Sequence, residues 1–170
     1  RAFRRPPTKR EIDEVGVVYS RSREKNESFA IGIRRALGAA LVSPAFLLKS
    51  EQAKETNEPY RVDEYELASR LSYFLWASMP DDELFRLALE NRLSKPDVLA
   101  KQVARMLADP KSDALGSVFA AQWLGFDALG VRVRLDPIDN PWCTDTLMAA
   151  MKQESAMGFT SLLRNNKPLS

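Results

Sequence analysis

The stretch of residues 63–82 constrains the fold of this chain more than any other part of the sequence. Its apolar residues recur at the i, i+4, i+7 and i+8 spacing of one helix face, and they are Leu67, Leu71, Phe74 and Leu75. Aromatic and small side chains continue onto two further faces. Because a helix that is apolar beyond one stripe is normally enclosed by other helices, we predict a central buried helix at about 64–78, whose polar side chains serve the architecture first.

Helix start signals recur along the rest of the chain. Thr8 with Glu11, and Asp63 with Glu66, have the spacing of a capping box, which begins a helix. Serine, aspartate and proline mark further starts. The predicted starts are Ser28, Ser43 with Pro44, Asp81, Ser94 and Pro141, and one more helix is predicted to end near Gly125.

Apolar spacing also predicts which side of each helix is buried. After Ser28 the expected inner residues are Phe29, Ile33, Leu37, Ala40 and Leu41; before Gly125 they are Leu115, Val118, Phe119, Gln122 and Trp123; in the last helix they are Leu147, Met151, Glu154, Met157 or Gly158, and Leu162. A short extended piece at 131–135 would have little to pair with. We predict an all-α fold, an irregular bundle of about seven or eight helices.

A polar stretch divides the chain. The sequence from Glu51 to Tyr60 is polar and contains Asn57 and Pro59, and it is longer than a typical connection. The predicted organisation is therefore an N-terminal helical segment at 1–51 and a main helical domain at 63–170.

The composition excludes several classes of function. The 170 residues include no histidine, which excludes histidine-ligated zinc and a Ser-His-Asp triad within this chain. The single cysteine, Cys143, forms no internal disulfide, and no C-x-x-C-H motif for covalent haem occurs. A net charge of +2 with interspersed signs gives no nucleic-acid footprint, and no run reaches the roughly 20 apolar residues of a membrane span. We expect no metal and no cofactor in this chain.

Two charged runs have a structural and a functional interpretation. The basic run at 1–10 would be an arm that contacts phosphates or a solvated helix end, and its shortness favours the second. The acidic run at 81–83 would bind a hard cation or simply complement a helix N-terminus. Acidic side chains cap a helix N-terminus and interact favourably with the positive end of its dipole, so the run needs no metal to explain it.

Four side chains are the candidate ligand-binding residues: Arg70, Tyr73, Gln122 and Glu154. Arg70 lies one turn from Glu66, so it is either half of a buried ion pair or an anchor for an anionic ligand. Tyr73 and Gln122 suit a sugar or planar ligand, although aromatic residues at helical spacing also suit a core. Glu154 is an acid within an apolar stripe, where it needs a partner. No catalytic residue is assigned.

Five motifs, RAFRRP, LVSPAFLL, YELASRLSYFLWASMPDD, RMLADPK and FAAQWL, carry a resemblance to a known family. They resemble the large multidomain proteins of planctomycetes and related bacteria whose middle portions are domains of unknown function. The resemblance implies a c-type cytochrome domain upstream, which would hold haem c elsewhere in the full-length protein, and further domains downstream. It also implies export to the periplasm or cell envelope, and a chain that is a fragment of the middle portion.

Two functional hypotheses follow. The first is a structural or docking module whose partners are other domains of the same polypeptide. The second is a ligand-binding or catalytic domain with a pocket around the four candidate residues, between the central helix and the last one. The sequence leaves open whether the chain is an enzyme.

Overall fold

The protein is all-α, as its sequence predicts. A computed structural model describes residues 2–48, 51, 58–136, 138–165 and 168, and among these it has eight α-helices and no β-strand. The possible extended piece at 131–135 forms no strand: residues 131 and 132 lie in a turn, and Leu129 and Val133 form an isolated bridge. The chain divides into two compact units, residues 1–66 and 67–170.

The described part of the chain forms its α-helices in the following order. They are α1 (Lys9–Glu24), α2 (Phe29–Leu41), α3 (Pro44–Leu47), α4 (Glu64–Trp76), α5 (Asp82–Leu89), α6 (Pro96–Ala108), α7 (Ala121–Leu124) and α8 (Asp145–Asn165). Between α6 and α7 the chain forms a 3₁₀ turn (Pro110–Asp113) and a π-helix (Leu115–Ala120), and a second 3₁₀ turn (Phe126–Ala128) follows α7.

Most predicted helix starts are confirmed. The hydroxyl of Thr8 accepts from the Glu11 N–H at 3.2 Å while the Glu11 carboxylate accepts from the Thr8 N–H at 2.7 Å. Asp63 and Glu66 exchange the same two bonds, at 2.7 and 3.0 Å. Asp81 caps α5 in the predicted way, and Ser28 caps α2.

Two predicted starts are wrong. α6 begins after Lys95 rather than at Ser94, with Pro96 as its first residue. Proline is suited to that position because its φ is already helical and its missing N–H would have had no partner there. α8 begins at Asp145 rather than Pro141, and the Thr144 hydroxyl accepts from the Leu147 N–H at 3.2 Å.

In the first unit, α2 approaches α1 through small residues. Gly32 and Ala36 are buried, and a Cβ on Gly32 would lie 2.9 Å from a ring carbon of Tyr19. The predicted stripe of α2 is therefore wrong, because its large members Phe29, Ile33, Leu37 and Leu41 are exposed and Ala40 is half-buried. Apolar periodicity located an apolar face of α2, but that face is exposed and the small residues Gly32 and Ala36 are buried instead.

The basic N-terminal run also has a structural role in the first unit. Arg4 Nη2 donates to the carbonyls of Ala45, Phe46 and Leu48 at 2.9, 3.1 and 2.7 Å. These carbonyls lie at the C-terminal end of α3, where helix carbonyls have no intrahelical donor. Arg4, within the described part of the run, is therefore bound to the first unit through these three carbonyls.

In the second unit, the core is formed by α4, α5 and α6 with their connections. Leu84, Leu93 and Met106 are fully buried. The buried face of α4 consists of Ala68, Ser72, Leu75 and Trp76, which shares one member with the predicted stripe. Phe74, a member of the predicted stripe, is 54% exposed. Arg70 is also exposed, so the prediction that its ion pair is buried is wrong.

Candidate functional site

The C-terminal end of α6 is held by side chains from other parts of the second unit. Pro110 has no N–H to donate to the carbonyl of Met106, four residues earlier. The indole Nε1 of Trp76 donates to that carbonyl at 2.9 Å, and the Ser112 hydroxyl donates to the Leu107 carbonyl at 2.9 Å. The polar atom of this buried tryptophan therefore completes a helix end.

Arg164 joins α8 to the same helix end. Its Nη1 lies 3.1 Å from Asp113 Oδ1, and its Nη2 donates to the Ser112 hydroxyl at 2.7 Å and to the Asp109 carbonyl at 3.2 Å. An arginine with several fixed acceptors orients both elements that it joins. The position of α8 beside the 110–113 turn is set in this way.

The π-helix and α8 lie very close together at Gly116. A Cβ at this position would lie 2.3 Å from the Ala156 carbonyl oxygen and 2.5 Å from Thr160 Oγ1. Only glycine fits such an approach. The Thr160 hydroxyl donates to the Ala156 carbonyl at 2.9 Å, so both polar groups at the contact are hydrogen-bonded.

A groove of about 940 Å³ runs along this contact, within the second unit. α8 forms one wall and the segment 113–127 forms the other. The lining residues are Asp113, Ser117, Ala121, Phe126, Asp127, Ala149, Lys152, Gln153, Ala156, Met157, Thr160, Ser161, Arg164 and Asn165. The volume lies within the range of ligand sites in proteins.

Lys152 is the cation at the other end of the groove from Arg164. Its Nζ donates to the Asp127 carbonyl at 3.0 Å. Among the described residues, no carboxylate lies within 4 Å of this ammonium, whereas the Asp127 carboxylate lies 3.6 Å from Arg132. The groove thus contains a half-buried cation whose charge is not neutralised by an ion pair.

Four aromatic rings form a cluster near the surface of the second unit. Phe74 on α4 meets Phe119 edge-on at 5.2 Å between centroids, Trp123 stacks on Phe119 at 5.9 Å, and Phe159 on α8 lies at 6.4 Å. Trp123 is 67% exposed.

The inner stripe predicted before Gly125 is wrong for four of its five members. Leu115 is buried as predicted, but the other four are exposed, namely Val118, Phe119, Gln122 and Trp123.

A second apolar surface lies on the first unit. We call it the α2 face, and it consists of Phe29, Ile33, Leu37 and Leu41 at successive four-residue steps. All four are exposed, Phe29 to 65% and Leu37 to 59%. A contiguous exposed apolar stripe of this kind typically marks an interaction surface.

The four candidate ligand-binding residues lie outside the groove lining. Arg70 and Gln122 are exposed, Tyr73 is half-buried, and Glu154 is exposed rather than enclosed by the apolar side chains of α8. The contact of Phe74 with Phe119 brings together the segments that carry Tyr73 and Gln122. Ligand binding by the four residues stays a prediction.

The groove does not follow from apolar periodicity, because small and polar residues of α8 line it. On α8 the inner face is Met148, Lys152, Ala156 and Thr160, at four-residue steps. The predicted inner members Leu147, Met151, Glu154 and Met157 are exposed. Small residues at a helical period, with Gly116 on a neighbouring segment, were the available indication of close helix contact.

In the described part of the chain, no group of three or more His, Cys, Asp or Glu side chains is suited to a metal ion. None of the described helices combines the length and apolar composition needed to cross a bilayer.

The two parts of the chain match two different protein families. Residues 1–51 match the family PSD5, described as a protein of unknown function (DUF1595). Residues 62–170 match PSD4, described as a protein of unknown function (DUF1592), and because this match covers more than half of the sequence, the chain belongs to the DUF1592 family. No curated protein and no solved structure matches the chain.

Proposed function

We propose that this chain is a docking module within a larger, exported, cytochrome-containing protein, and that its partners are other domains of the same polypeptide. The observation that carries the proposal is the α2 face. Its four large apolar side chains are exposed to water, although Gly32 and Ala36, which lie directly beside them on the same helix, are buried. When a partner covers such side chains, the removal of apolar surface from water stabilises the contact by roughly 25 cal/mol per Å².

The multidomain context has separate support. The chain carries matches to two different domain families in succession, at 1–51 and 62–170. The sequence motifs resemble large proteins with an upstream c-type cytochrome domain. Haem c elsewhere in the full-length protein, and a periplasmic or envelope location, are parts of this proposal. The redox absorption spectrum and the cell fraction of the full-length protein test these two parts.

The docking proposal is tested by substitutions on the α2 face. In the full-length protein, Phe29→Ser with Leu37→Ser is expected to lower the Tm by several degrees, because the serines remove apolar contacts with the partner domain. The same pair in the 170-residue chain is expected to lower the Tm less, because both side chains are exposed there and the ring contact that is lost is the edge-on contact of Phe29 with Tyr19. Val42→Ser, which changes an exposed apolar residue at the C-terminal end of α2 on a different side of the helix, is the matched control.

Hydroxyl-radical labelling provides an independent test. Oxidation of Phe29 and Leu37 is expected to be several-fold lower in the full-length protein than in the 170-residue chain. Equal labelling in both proteins, together with equal Tm changes, would exclude a docking role for the α2 face.

The aromatic cluster supports the second hypothesis, a ligand site that includes Arg70, Tyr73, Gln122 and Glu154. Trp123 offers an exposed ring face one residue from Gln122. A planar or sugar ligand at this site would quench tryptophan fluorescence, and Tyr73→Phe with Gln122→Ala would reduce the quenching. If Trp123→Phe leaves the quenching unchanged, this second hypothesis fails.

A further inference from the structure

We propose that the groove between α8 and the segment 113–127 binds an extended acidic segment of a polypeptide, with Lys152 neutralising one of its carboxylates. This site lies within the second unit, and the proposal does not depend on docking through the α2 face.

The charges of the groove favour an acidic occupant. Its two carboxylates are each paired with an arginine, Asp113 with Arg164 at 3.1 Å and Asp127 with Arg132 at 3.6 Å. Lys152 has one hydrogen bond, to a backbone carbonyl, and an ammonium carries three donors. A carboxylate entering the groove would supply both the missing charge and further acceptors, and such charge-assisted bonds are about twice as strong as neutral ones.

The shape of the groove favours one extended chain. The α8 residues that line it extend from Ala149 to Asn165, which corresponds to about 24 Å of helix. An extended peptide rises about 3.3 Å per residue, so about seven residues would match this length. Ala121 and Ala156 are among the lining residues, and their small side chains leave room for a backbone.

Polar groups along the walls suit a peptide backbone. The Ser117 hydroxyl donates to the Asp113 carbonyl at 3.0 Å, so its oxygen lone pairs remain to accept from a peptide N–H. The Gln153 amide provides both a donor and an acceptor. Phe126 is the one aromatic residue among the described residues of the lining, so a chain of sugar rings would find a single aromatic face.

Binding of hexaglutamate tests the proposal. A fluorescein-labelled hexaglutamate peptide, followed by fluorescence anisotropy at low salt, is expected to bind the wild-type chain. Lys152→Gln is expected to weaken binding about tenfold, because it removes a charge-assisted contact. Lys152→Arg keeps the charge and is expected to retain most of the affinity. Lys101→Gln, at an exposed position on α6, is the matched control and is expected to bind like the wild type.

Several outcomes would overturn the proposal. These are no binding of hexaglutamate by the wild-type chain, equal binding by the Lys152→Gln and wild-type chains, and equal losses for Lys152→Gln and Lys101→Gln. Tighter binding of a uronic acid oligomer of equal charge would assign the groove to a saccharide instead. Amide shift changes confined to the walls of the groove, in an NMR titration with hexaglutamate, would confirm the location.

Discussion

At the scale of single residues, Glu11 closes the N-terminal end of α1 through two sets of contacts. Its carboxylate forms paired hydrogen bonds with Arg5, at 2.9 and 2.7 Å, and it also accepts from the Thr8 N–H. The hydrogen bonds from Arg5 contribute most, followed by the one from Thr8, and together they lower the pKa of Glu11 to about 2. One carboxylate therefore connects the basic run to the first helix.

This shift predicts a dependence of stability on pH. Because the folded-state pKa of Glu11 is lower than the value of 4.5 for a free carboxyl, its stabilising contribution is present above that value and is lost as the pH falls toward 2. The unfolding free energy, measured by urea titration, is expected to decrease across that range. Glu11→Gln is expected to reduce the decrease, because it removes the carboxylate whose pKa is lowered.

Trp76 provides a second prediction at this scale. Trp76→Phe removes the donor to the Met106 carbonyl and leaves that carbonyl buried without its side-chain partner, which costs about 1–3 kcal/mol of unfolding free energy. Trp123→Phe changes an exposed ring and is expected to cost less than about 0.5 kcal/mol. Guanidinium titration of both variants measures the difference. Equal losses would show that the indole hydrogen bond contributes nothing specific.

At the scale of elements, polar side chains define how the helices of the second unit meet. Asp81 caps α5 by accepting from the Leu84 N–H at 3.0 Å, and it also accepts from Arg105 of α6 at 2.7 and 3.3 Å. Burial raises the pKa of Asp81, but the hydrogen bonds from Arg105 and Leu84 outweigh burial, so the pKa is lowered overall. A helix cap thus also orients the neighbouring helix.

The contact between the π-helix and α8 gives a prediction with a matched control. Gly116→Ala would place a Cβ 2.3 Å from the Ala156 carbonyl oxygen, so one backbone segment must move. A loss of about 1–3 kcal/mol in unfolding free energy is expected from this overpacking. Gly158→Ala on α8 meets no atom within 4 Å, and it is expected to stabilise the helix by about 0.5–1 kcal/mol. Thermal unfolding monitored by circular dichroism distinguishes these opposite signs.

At the scale of the whole molecule, large apolar side chains remain on the surface of both units. The α2 face lies in the first unit, and the aromatic cluster lies in the second. The α2 face is the basis for the docking proposal, and the aromatic cluster is the basis for the ligand-site hypothesis.

The α2 face predicts dye binding by the isolated chain. 8-Anilinonaphthalene-1-sulfonate fluorescence is expected to rise on mixing with the folded chain and to fall by about half in the Phe29→Ser, Leu37→Ser variant, because the dye binds contiguous apolar surface. Val131→Ser changes an exposed apolar residue outside the α2 face and is expected to leave the fluorescence unchanged. An unchanged signal in the double variant would contradict a contiguous α2 face.

Local chemistry explains what was predictable. The caps at Thr8, Ser28, Asp63 and Asp81 follow from hydrogen bonds made within a single turn, so they could be inferred without any knowledge of neighbours. Which face of each helix is buried could not be inferred in this way. Periodicity shows that a helix has an apolar side, but the contacts at Gly32 and Gly116 bury small residues instead, because close backbone approach leaves no room for large ones.

The sequence by itself determined the all-α class and most helix boundaries, since capping, proline and apolar period act within about one helical turn. Only the tertiary structure decided which faces meet. In the folded chain Glu154 and Arg70 lie at the surface, and Lys152 and Arg164 line one groove. These positions depend on contacts between residues distant in the chain, such as Gly116 with Ala156, and the pattern within one helix does not show which other segment that helix contacts.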